Sequence, residues 1–122
     1  EVLESGYKKK SSHCEKEYFP RVDPVVIMLP FHENKCLLGR QKIFPPNMYS
    51  ALAGFLEPGE TIESAIIREV KEEVNLNTEN VIYKFSQPWP FPSQLMIGCL
   101  AEVDSFDHKA HKIKNKNLTI LT

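Results

Sequence analysis

Three glutamates, Glu69, Glu72 and Glu73, follow Arg68 within five residues and crowd carboxylates into one short stretch of the chain. If the stretch is helical, with about 100° of rotation per residue, the three carboxylates share an arc of roughly 100°. Carboxylates held this close repel one another unless a cation lies among them, and Mg²⁺ prefers carboxylate and phosphate oxygens. The pattern therefore favours a divalent-ion site that acts on a phosphate chain. A solvated acidic face, paired with Arg68 and Lys71, is the alternative.

The element that must carry these acids is a helix over residues 61–74, a stretch without glycine or proline. Thr61 can cap its first turn, and Glu60 and Glu63 lie where the helix dipole favours anions. Arg68 keeps its proton and can orient a carboxylate, either Glu60 or a member of the cluster. Aliphatic side chains occupy the neighbouring arc: Ile66, Ile67, Val70 and Val74. The helix can therefore pack on a sheet with one side and present its acids from another.

Short apolar segments separated by turn residues predict the strands of that sheet. Residues 25–29 form a β-branched run that is typical of a buried strand. Residues 36–40 would return from a turn at 32–35 as the second strand of a hairpin. Further strands are predicted at residues 81–85 and 95–103.

Residues 86–92 contain three prolines and are predicted to form a rigid loop without regular structure. Such a loop would hold Trp89 and Phe91 in place at low entropic cost. Gln87 offers both a hydrogen-bond donor and an acceptor to a base or a ribose. The loop therefore favours nucleotide recognition, and a Trp89 that anchors the core is the alternative.

The composition is that of one ordinary globular domain: 122 residues, 42% hydrophobic and 25% charged. A formal net charge of −1 gives no global basic field that would draw in nucleic acid or a membrane, and the apolar runs are too short to span a bilayer. No secretory signal is visible at the start. Three cysteines, Cys14, Cys36 and Cys99, argue against a disulfide framework and suit a reducing, intracellular location. The sequence does not distinguish cytosol, mitochondria and peroxisomes.

The fixed spacing around the acids resembles the Nudix box. Gly54 is followed by Glu60 six positions later, and Arg68 begins the run that contains the three clustered glutamates. Asn75 and Leu76 stand where the box has a glycine and an aliphatic residue. Asparagine is the best substitute for glycine at a left-handed helix end, so this departure is mild. The chain is therefore identified, by resemblance, as a member of the Nudix hydrolase family.

A second motif narrows the resemblance to the NADH diphosphatase branch of that family. Residues 86–92, with the sequence SQPWPFP, resemble the signature of this branch, and the likeness extends over roughly residues 4–103. The resemblance implies an α/β Nudix fold over residues 20–103, with a mixed, curved sheet on which the box helix packs.

The same resemblance implies a reaction, namely metal-dependent hydrolysis of NADH or NAD to nicotinamide mononucleotide and AMP. The family can also remove NAD caps from RNA, so capped RNA is a further substrate that the resemblance implies. Other nucleoside diphosphate derivatives, such as ADP-ribose or FAD, are one alternative. A degenerate domain that binds a nucleotide without turnover is the other.

The resemblance also implies a metal site. Mg²⁺ or Mn²⁺ would be held by the carboxylates of Glu69, Glu72 and Glu73 together with the carbonyl of Ala53. Arg68 and the same glutamates would form the catalytic group. One of the glutamates, such as Glu72, would act as the general base.

Substrate contacts are implied for seven further residues: Phe19, Phe55, Gln87, Trp89, Phe91, Ser93 and Gln94. In the family the aromatic residue that corresponds to Phe19 is supplied by the partner subunit, so a homodimer is implied as well. For Phe19 and Phe55, packing in the core is the alternative. The last serine of the family signature falls at Gln94, with Ser93 as its neighbour, so this contact departs from the pattern.

The start of the chain departs from the family pattern. The family carries a zinc ribbon ahead of the catalytic domain, and tetrahedral zinc needs four ligands. Residues 1–19 retain only Cys14 of these ligands, with Ser11 in another ligand position, and His13 does not complete a site. Residues 1–19 are therefore interpreted as a remnant without zinc, and a zinc-ribbon module for nucleic acid is disfavoured.

The end of the chain departs as well. Residues 104–122 form a divergent basic tail that is expected to be frayed or a weak strand, with a phosphate-binding arm as the alternative. The family's further metal-binding glutamate and covering helix are not found there. We therefore expect the C-terminal helix to be missing and the chain to be an incomplete copy of the domain.

Overall fold

The computed structural model describes residues 2–3, 8–10, 17–106 and 116–121, which form two sheets and a helix. The smaller sheet is antiparallel and consists of β1 (Val2–Leu3), β2 (Lys8–Lys10) and β3 (Glu17–Tyr18). The larger sheet consists of β4 (Asp23–His32), β5 (Lys35–Gln41), β6 (Leu52–Phe55), β7 (Thr78–Trp89), β8 (Gln94–Val103) and β9 (Lys116–Leu121). Helix α1 spans Ile62–Val74.

The larger sheet is mixed, with the strand order β7-β8-β4-β5-β9. Its central pair, β4 and β8, is parallel, whereas the other pairs are antiparallel. The short strand β6 lies beside the first half of β4, and β5 pairs with the end of β4. Two register shifts between β7 and β8 add twist to the sheet. The predicted α/β class and mixed sheet are confirmed.

One face of the sheet packs against α1 and forms the core. Buried positions alternate along β4 and β8, because successive strand residues point to opposite faces. The strands contribute Val26, Met28, Ile97, Cys99, Ala101 and Val103, and the helix contributes Ala65, Ile66, Val70 and Val74. Each fully buried aliphatic side chain stabilises the fold by about 1.5–3 kcal/mol. This packing holds α1 in a fixed position on the sheet.

The ends of α1 agree with the predictions made from its sequence. The Thr61 side chain accepts a hydrogen bond from the Ser64 backbone N–H at 3.1 Å and caps the first turn. Asn75 closes the helix in the left-handed conformation, with φ 56° and ψ 38°, and its N–H donates to the Lys71 carbonyl. Asparagine therefore performs at this position the conformational role of a glycine. Helix α1 is too short and too polar to cross a membrane, and it is the one helix in the described residues.

The predicted loop at residues 86–92 was wrong in its first half. Strand β7 continues through Ser86, Gln87 and Pro88 to Trp89, and these residues pair with β8. Proline is tolerated there because β7 lies at the edge of the described sheet, where a missing N–H leaves no neighbouring strand unsatisfied. The turn that remains is short and contains a cis peptide bond between Phe91 and Pro92.

The ends of the chain are described only in part. Strand β9 pairs antiparallel with β5, from Gln41 opposite Lys116 to Cys36 opposite Leu121, so this segment of the predicted tail forms a strand. Ser11, His13 and Cys14, which bear on zinc, lie outside the described residues, as do residues 107–115 of the basic tail. The division into residues 1–19, 20–103 and 104–122 stays a prediction.

Candidate active site

The contact between Gly54 and Glu69 joins strand β6 to helix α1. A methyl group built on Gly54 would overlap the Glu69 carboxyl group, so only glycine at this position lets the carboxylate approach the strand. Gly54 is itself fixed by its register opposite Val26 of β4. The spacing between the glycine and the glutamate in the sequence therefore corresponds to one tight contact in the structure.

The three clustered glutamates have different surroundings. Glu69 and Glu73 are 8% and 6% exposed, and they are buried polar residues on the side of α1 that packs on the sheet. Glu72 is directed outward, with half of its side-chain surface exposed. The acids therefore do not form a solvated face: two carboxylates are held within the protein, and the third lies at its edge.

Arg68 is the centre of a hydrogen-bond network that uses all five of its N–H groups. Nε and Nη2 donate to the two carboxylate oxygens of Glu60 at 2.7 and 2.8 Å, and Nη2 also donates to the Phe55 carbonyl at 3.2 Å. Nη1 donates to Glu69 Oε1 at 2.8 Å and to Glu72 Oε2 at 3.3 Å. One guanidinium therefore ties the loop before the helix to two of the clustered acids.

Glu60 is fixed from two directions. Besides the two bonds from Arg68, its Oε1 accepts a hydrogen bond from the Glu57 backbone N–H at 3.1 Å. These bonds, with the Arg68 bond first and the Glu57 bond second, lower the pKa of Glu60 to about 2. The same ion pair raises the pKa of Arg68 above its already high value. The pair therefore stays ionised at neutral pH and positions the turn that leads into α1.

The donor set around α1 suits a hard divalent cation by its chemistry, since carboxylate oxygens are the ligands that Mg²⁺ and Mn²⁺ prefer. In the arrangement as it stands, however, no three His, Cys, Asp or Glu side chains within the described ranges converge on a point that could hold a metal ion. Glu69 and Glu72 instead turn toward Nη1 of Arg68. Binding of an ion therefore requires at least one of these carboxylates to change its orientation.

The aromatic residues predicted to contact the substrate are exposed. Phe19, Phe55, Trp89 and Phe91 all present large apolar surfaces to solvent. The alternative that Phe19 and Phe55 pack in the core is wrong, and so is the alternative of Trp89 as a core anchor. Trp89 and Phe91 meet edge to face, with ring centroids 5.7 Å apart.

Two hollows meet at Trp89. The first, of about 270 Å³, is lined by Ile27, Phe85, Gln87, Trp89 and Met96. The second, of about 240 Å³, is lined by Val22, Pro88, Trp89, Pro90, Ser93, Gln94 and Leu95. Pockets that bury a drug-sized ligand measure about 300–1,000 Å³, so each hollow has room for part of a dinucleotide.

Ser93 has a structural contact in addition to its place in the second hollow. Its hydroxyl donates to the Arg21 carbonyl at 2.7 Å, and its own carbonyl accepts from the Asp23 N–H at 3.0 Å. Ser93 therefore anchors the turn after β7 to the beginning of β4.

Several hollow-lining residues were not singled out from the sequence, among them Ile27, Phe85 and Met96. The available signal was the alternation of Phe85, Gln87 and Trp89, which places all three on one face of a strand. A loop prediction for residues 86–92 makes no use of this alternation, because only a strand directs alternate side chains to one face.

The acids lie on one face of the sheet, and the rings of Phe55 and Trp89 lie on the other. Ile27 lines the first hollow, whereas its neighbours Val26 and Met28 pack in the core under α1. The acids and an exposed ring come next to each other in sequence at β6, where Gly54 contacts Glu69 and the next residue, Phe55, is exposed.

Comparison with known proteins gives consistent matches. A family profile described as the NUDIX domain matches residues 20–111. The chain is 52% identical over 124 residues to "NAD-capped RNA hydrolase NUDT12" of Homo sapiens, which covers 91% of this chain and 26% of that protein. It is 48% identical over 94 residues to "NAD-capped RNA hydrolase NudC" of Chromobacterium violaceum, covering 77% and 36%. It is 49% identical over 100 residues to "NAD(P)H pyrophosphatase NUDT13, mitochondrial" of Mus musculus, covering 81% and 28%.

The chain therefore spans about a quarter to about a third of the length of these curated relatives. Solved structures show the same fold. A NUDIX hydrolase from Nitrosomonas europaea superposes with a TM-score of 0.64 at 24% identity, covering 92% of this chain and 65% of that one. A MutT/nudix family protein from Enterococcus faecalis superposes with a TM-score of 0.63 at 22% identity, covering 83% and 44%.

Proposed function

This chain belongs to the Nudix family, and from that membership we propose that it hydrolyses the diphosphate of NADH or NAD to nicotinamide mononucleotide and AMP. The observation that carries the proposal is the seating of the Glu69 carboxylate against Gly54, beside an arginine that Glu60 fixes from the opposite side. Relatives that share about half of the aligned residues are named for NAD-capped RNA and NAD(P)H, which supports a dinucleotide diphosphate as the substrate.

The proposed metal ligands are the carboxylates of Glu69, Glu72 and Glu73 and the carbonyl of Ala53, and the ion is Mg²⁺ or Mn²⁺. When bound there, a divalent ion polarises phosphoryl oxygens and lowers the pKa of water. Burial holds Glu69 and Glu73 in place, whereas Glu72 has the solvent access that a proton acceptor needs. We therefore assign the general base to Glu72, with Arg68 as the residue that orients the acids.

The proposed substrate contacts lie on the other face of the sheet. The register places Phe55, Val25, Met96 and Gln87 in one row across four strands. With strands about 4.8 Å apart, Phe55 and Gln87 are separated by about 14 Å. A diphosphate bound at Glu69 would therefore have one base near Phe55 and the remainder of the dinucleotide directed toward the hollows at Trp89.

Seven residues are assigned to this surface: Phe19, Phe55, Gln87, Trp89, Phe91, Ser93 and Gln94. Phe19 would act across a homodimer interface. An exposed aromatic ring binds a flat base with little loss of side-chain entropy, since two torsions define its position. NAD-capped RNA is a further substrate of the same surface, although a net charge of −1 adds no general attraction for the RNA chain.

We expect an intracellular location, and relatives are named as mitochondrial in Mus musculus and chloroplastic in Arabidopsis thaliana. A domain that binds nucleotides without turnover is the second candidate function. It is favoured by the lack of three converging ligands in the part of the chain that the structure describes.

The test is incubation of the chain with NADH, ADP-ribose or FAD in the presence of Mg²⁺ or Mn²⁺, with chromatographic separation of the products. Nicotinamide mononucleotide and AMP from NADH, at a higher rate than products from the other two, are expected. Faster cleavage of ADP-ribose or FAD would contradict the assigned substrate, and binding without products would support the second candidate.

The E73Q variant provides the site control for this assay. It should abolish turnover while retaining the circular dichroism spectrum and the thermal transition of the unaltered chain. An unchanged rate would exclude Glu73 from the mechanism.

A further inference from the structure

Arg68 binds its carboxylate partners unequally. The edge formed by Nε and Nη2 is held by both oxygens of Glu60 at 2.7 and 2.8 Å, and Glu60 is in turn fixed by the Glu57 N–H. Nη1 divides its two N–H groups between Glu69 at 2.8 Å and Glu72 at 3.3 Å. The guanidinium is therefore anchored on the side of Glu60, and its second amino group reaches into the acid cluster.

Glu69 and Glu72 differ in their freedom to move. The Glu69 carboxylate is confined between Arg68 and the backbone at Gly54, and its side chain is mostly buried. Glu72 has the longer bond to Nη1, and half of its side-chain surface is exposed. When the cluster rearranges, Glu72 is the carboxylate with room to rotate.

We propose that Arg68 and the divalent ion compete for Glu72: Nη1 holds this carboxylate away from the metal position, and binding of the ion breaks the Arg68–Glu72 contact. The inference rests on the proposed function, which assigns Glu72 as a metal ligand. Two observations favour competition over joint coordination. The carboxylates as they stand do not converge on a metal position in the described chain. The guanidinium cannot withdraw with its charge, because Glu60 holds its other edge.

The proposal makes a prediction opposite in sign to that of a purely orienting arginine. A residue that only orients metal ligands costs roughly 10–100-fold in metal affinity when it is removed. A competing residue improves the affinity when it is removed, because the ion no longer has to break a charge-assisted hydrogen bond to take its ligand.

The experiment measures the dissociation constant of Mn²⁺ from the free-ion signal in electron paramagnetic resonance. R68Q should bind Mn²⁺ about tenfold more tightly, on the scale of one charge-assisted hydrogen bond. K71Q is the matched control, because it removes the same charge from the same helix at a side chain that donates to Asn77. Weaker binding by R68Q, or an equal gain in K71Q, would overturn the competition.

The identity of the contested carboxylate is tested in a second background. In E72Q, replacement of Arg68 by Gln should give no further gain in Mn²⁺ affinity, because the contested ligand is already absent. A gain that persists in E72Q would refute the assignment to Glu72. R68Q leaves the Glu60 carboxylate without its cation, which could disturb folding. The Mn²⁺ dissociation constant of the E60Q/R68Q double variant is therefore also compared with that of E60Q, in which no carboxylate is left unpaired by the loss of Arg68.

A measurement on the unaltered chain separates this inference from the proposed function. The chain contains three arginines, Arg21, Arg40 and Arg68, so their side-chain nitrogen resonances can be assigned by substitution. On addition of Mg²⁺, the Nη1 resonance of Arg68 should change while Nε, bonded to Glu60, stays unaffected. Saturation without a change at Nη1 would contradict the competition alone. If neither Mg²⁺ nor Mn²⁺ binds, the metal assignment in the proposed function fails as well.

Discussion

The two faces of the sheet differ in what they present: one carries fixed charged groups, and the other carries exposed aromatic side chains. On the helix side, Arg68 and Glu60 lock charged groups together, and the surrounding core keeps α1 in place. On the other side, Phe55 and Trp89 are exposed, and Trp89 lines an open hollow. On the first face the Glu60–Arg68 pair is fixed before any ligand arrives, and such fixed groups suit the stabilisation of a developing charge. The second face gains apolar burial only when a ligand covers it.

This contrast predicts that changes on the helix side lower kcat, whereas changes on the hollow side raise KM. Changes on the first face displace a charged group, such as the Glu69 carboxylate, that Arg68 and the backbone at Gly54 hold in place. Changes on the second face remove contact area and leave the reacting groups where they are.

The largest effect is expected for G54A, which breaks the contact between β6 and α1. The added methyl group would overlap the Glu69 carboxyl group and force it out of position. A displacement of about 1 Å at such a site costs roughly 100-fold in rate. We expect a loss of kcat of about this size in steady-state assays with NADH, with KM little changed. Retention of the full kcat would show that the seating of Glu69 is not needed for the reaction.

W89A should raise KM, because Trp89 lines both hollows. Stacking of a base on an aromatic ring is worth about 1–3 kcal/mol, which corresponds to a rise in KM of roughly tenfold. Y83A serves as the control, because Tyr83 is an exposed aromatic residue of the same strand that lies outside the lining of the two hollows as the structure describes them. An equal rise in both variants, or a fall in kcat for W89A alone, would contradict the division between the faces.

G98A makes the same chemical change as G54A on the other face. A methyl group on Gly98 would meet the Phe85 carbonyl oxygen at 3.2 Å and the edge of its ring at 3.3 Å, so Phe85 must shift by a few tenths of an ångström. We expect KM to rise by about threefold and kcat to stay unchanged, since the shift narrows one hollow without reaching the acids. Equal losses of kcat in G98A and G54A would contradict the prediction that only changes on the helix side lower kcat.

The smallest effect is expected for the stability that Glu60 contributes, which should decrease at acidic pH. The pKa of Glu60 is lowered from 4.5 to about 2, so its ionised form stabilises the fold fully above pH 4.5. This stabilisation is lost as the pH falls from 4.5 through about 2, where the folded state also takes up the proton. The difference in urea midpoint between the unaltered chain and E60Q should be constant from about pH 5 to 8 and narrow below. A constant difference down to pH 2 would contradict the depressed pKa.

The helix side could be predicted from the sequence because its contacts join residues that are close along the chain. Thr61, Asn75 and the spacing from Gly54 to Glu69 each correspond to a local contact in the structure. The four residues that accept hydrogen bonds from Arg68 were predicted only in part: Glu60 or a member of the cluster was expected, whereas the Phe55 carbonyl was not. Backbone acceptors leave no mark in the sequence.

The hollow side was harder to predict because it depends on pairings between distant segments. Pro88 argues against a strand in most positions, and only the place of β7 at the edge of the described sheet makes it acceptable. The pairing of β9 with β5 joins residues far apart in the sequence. The location of Phe55 and Trp89 on the face opposite the acids follows from strand register, which apolar periodicity alone does not determine.

Strand β6 carries a consequence for how this protein can change over evolutionary time. Gly54 and Phe55 are adjacent, and they serve opposite faces of the sheet. A slip of one residue in the pairing of β6 with β4 would exchange their directions, burying the ring against the acids and exposing the glycine. Insertions in the loop before β6 are tolerated only if they leave the register of β6 against β4 unchanged. Insertions and deletions should therefore accumulate between Gln41 and Ser50. None is expected at Gly54 and Phe55, because a change of length there would shift the register of β6.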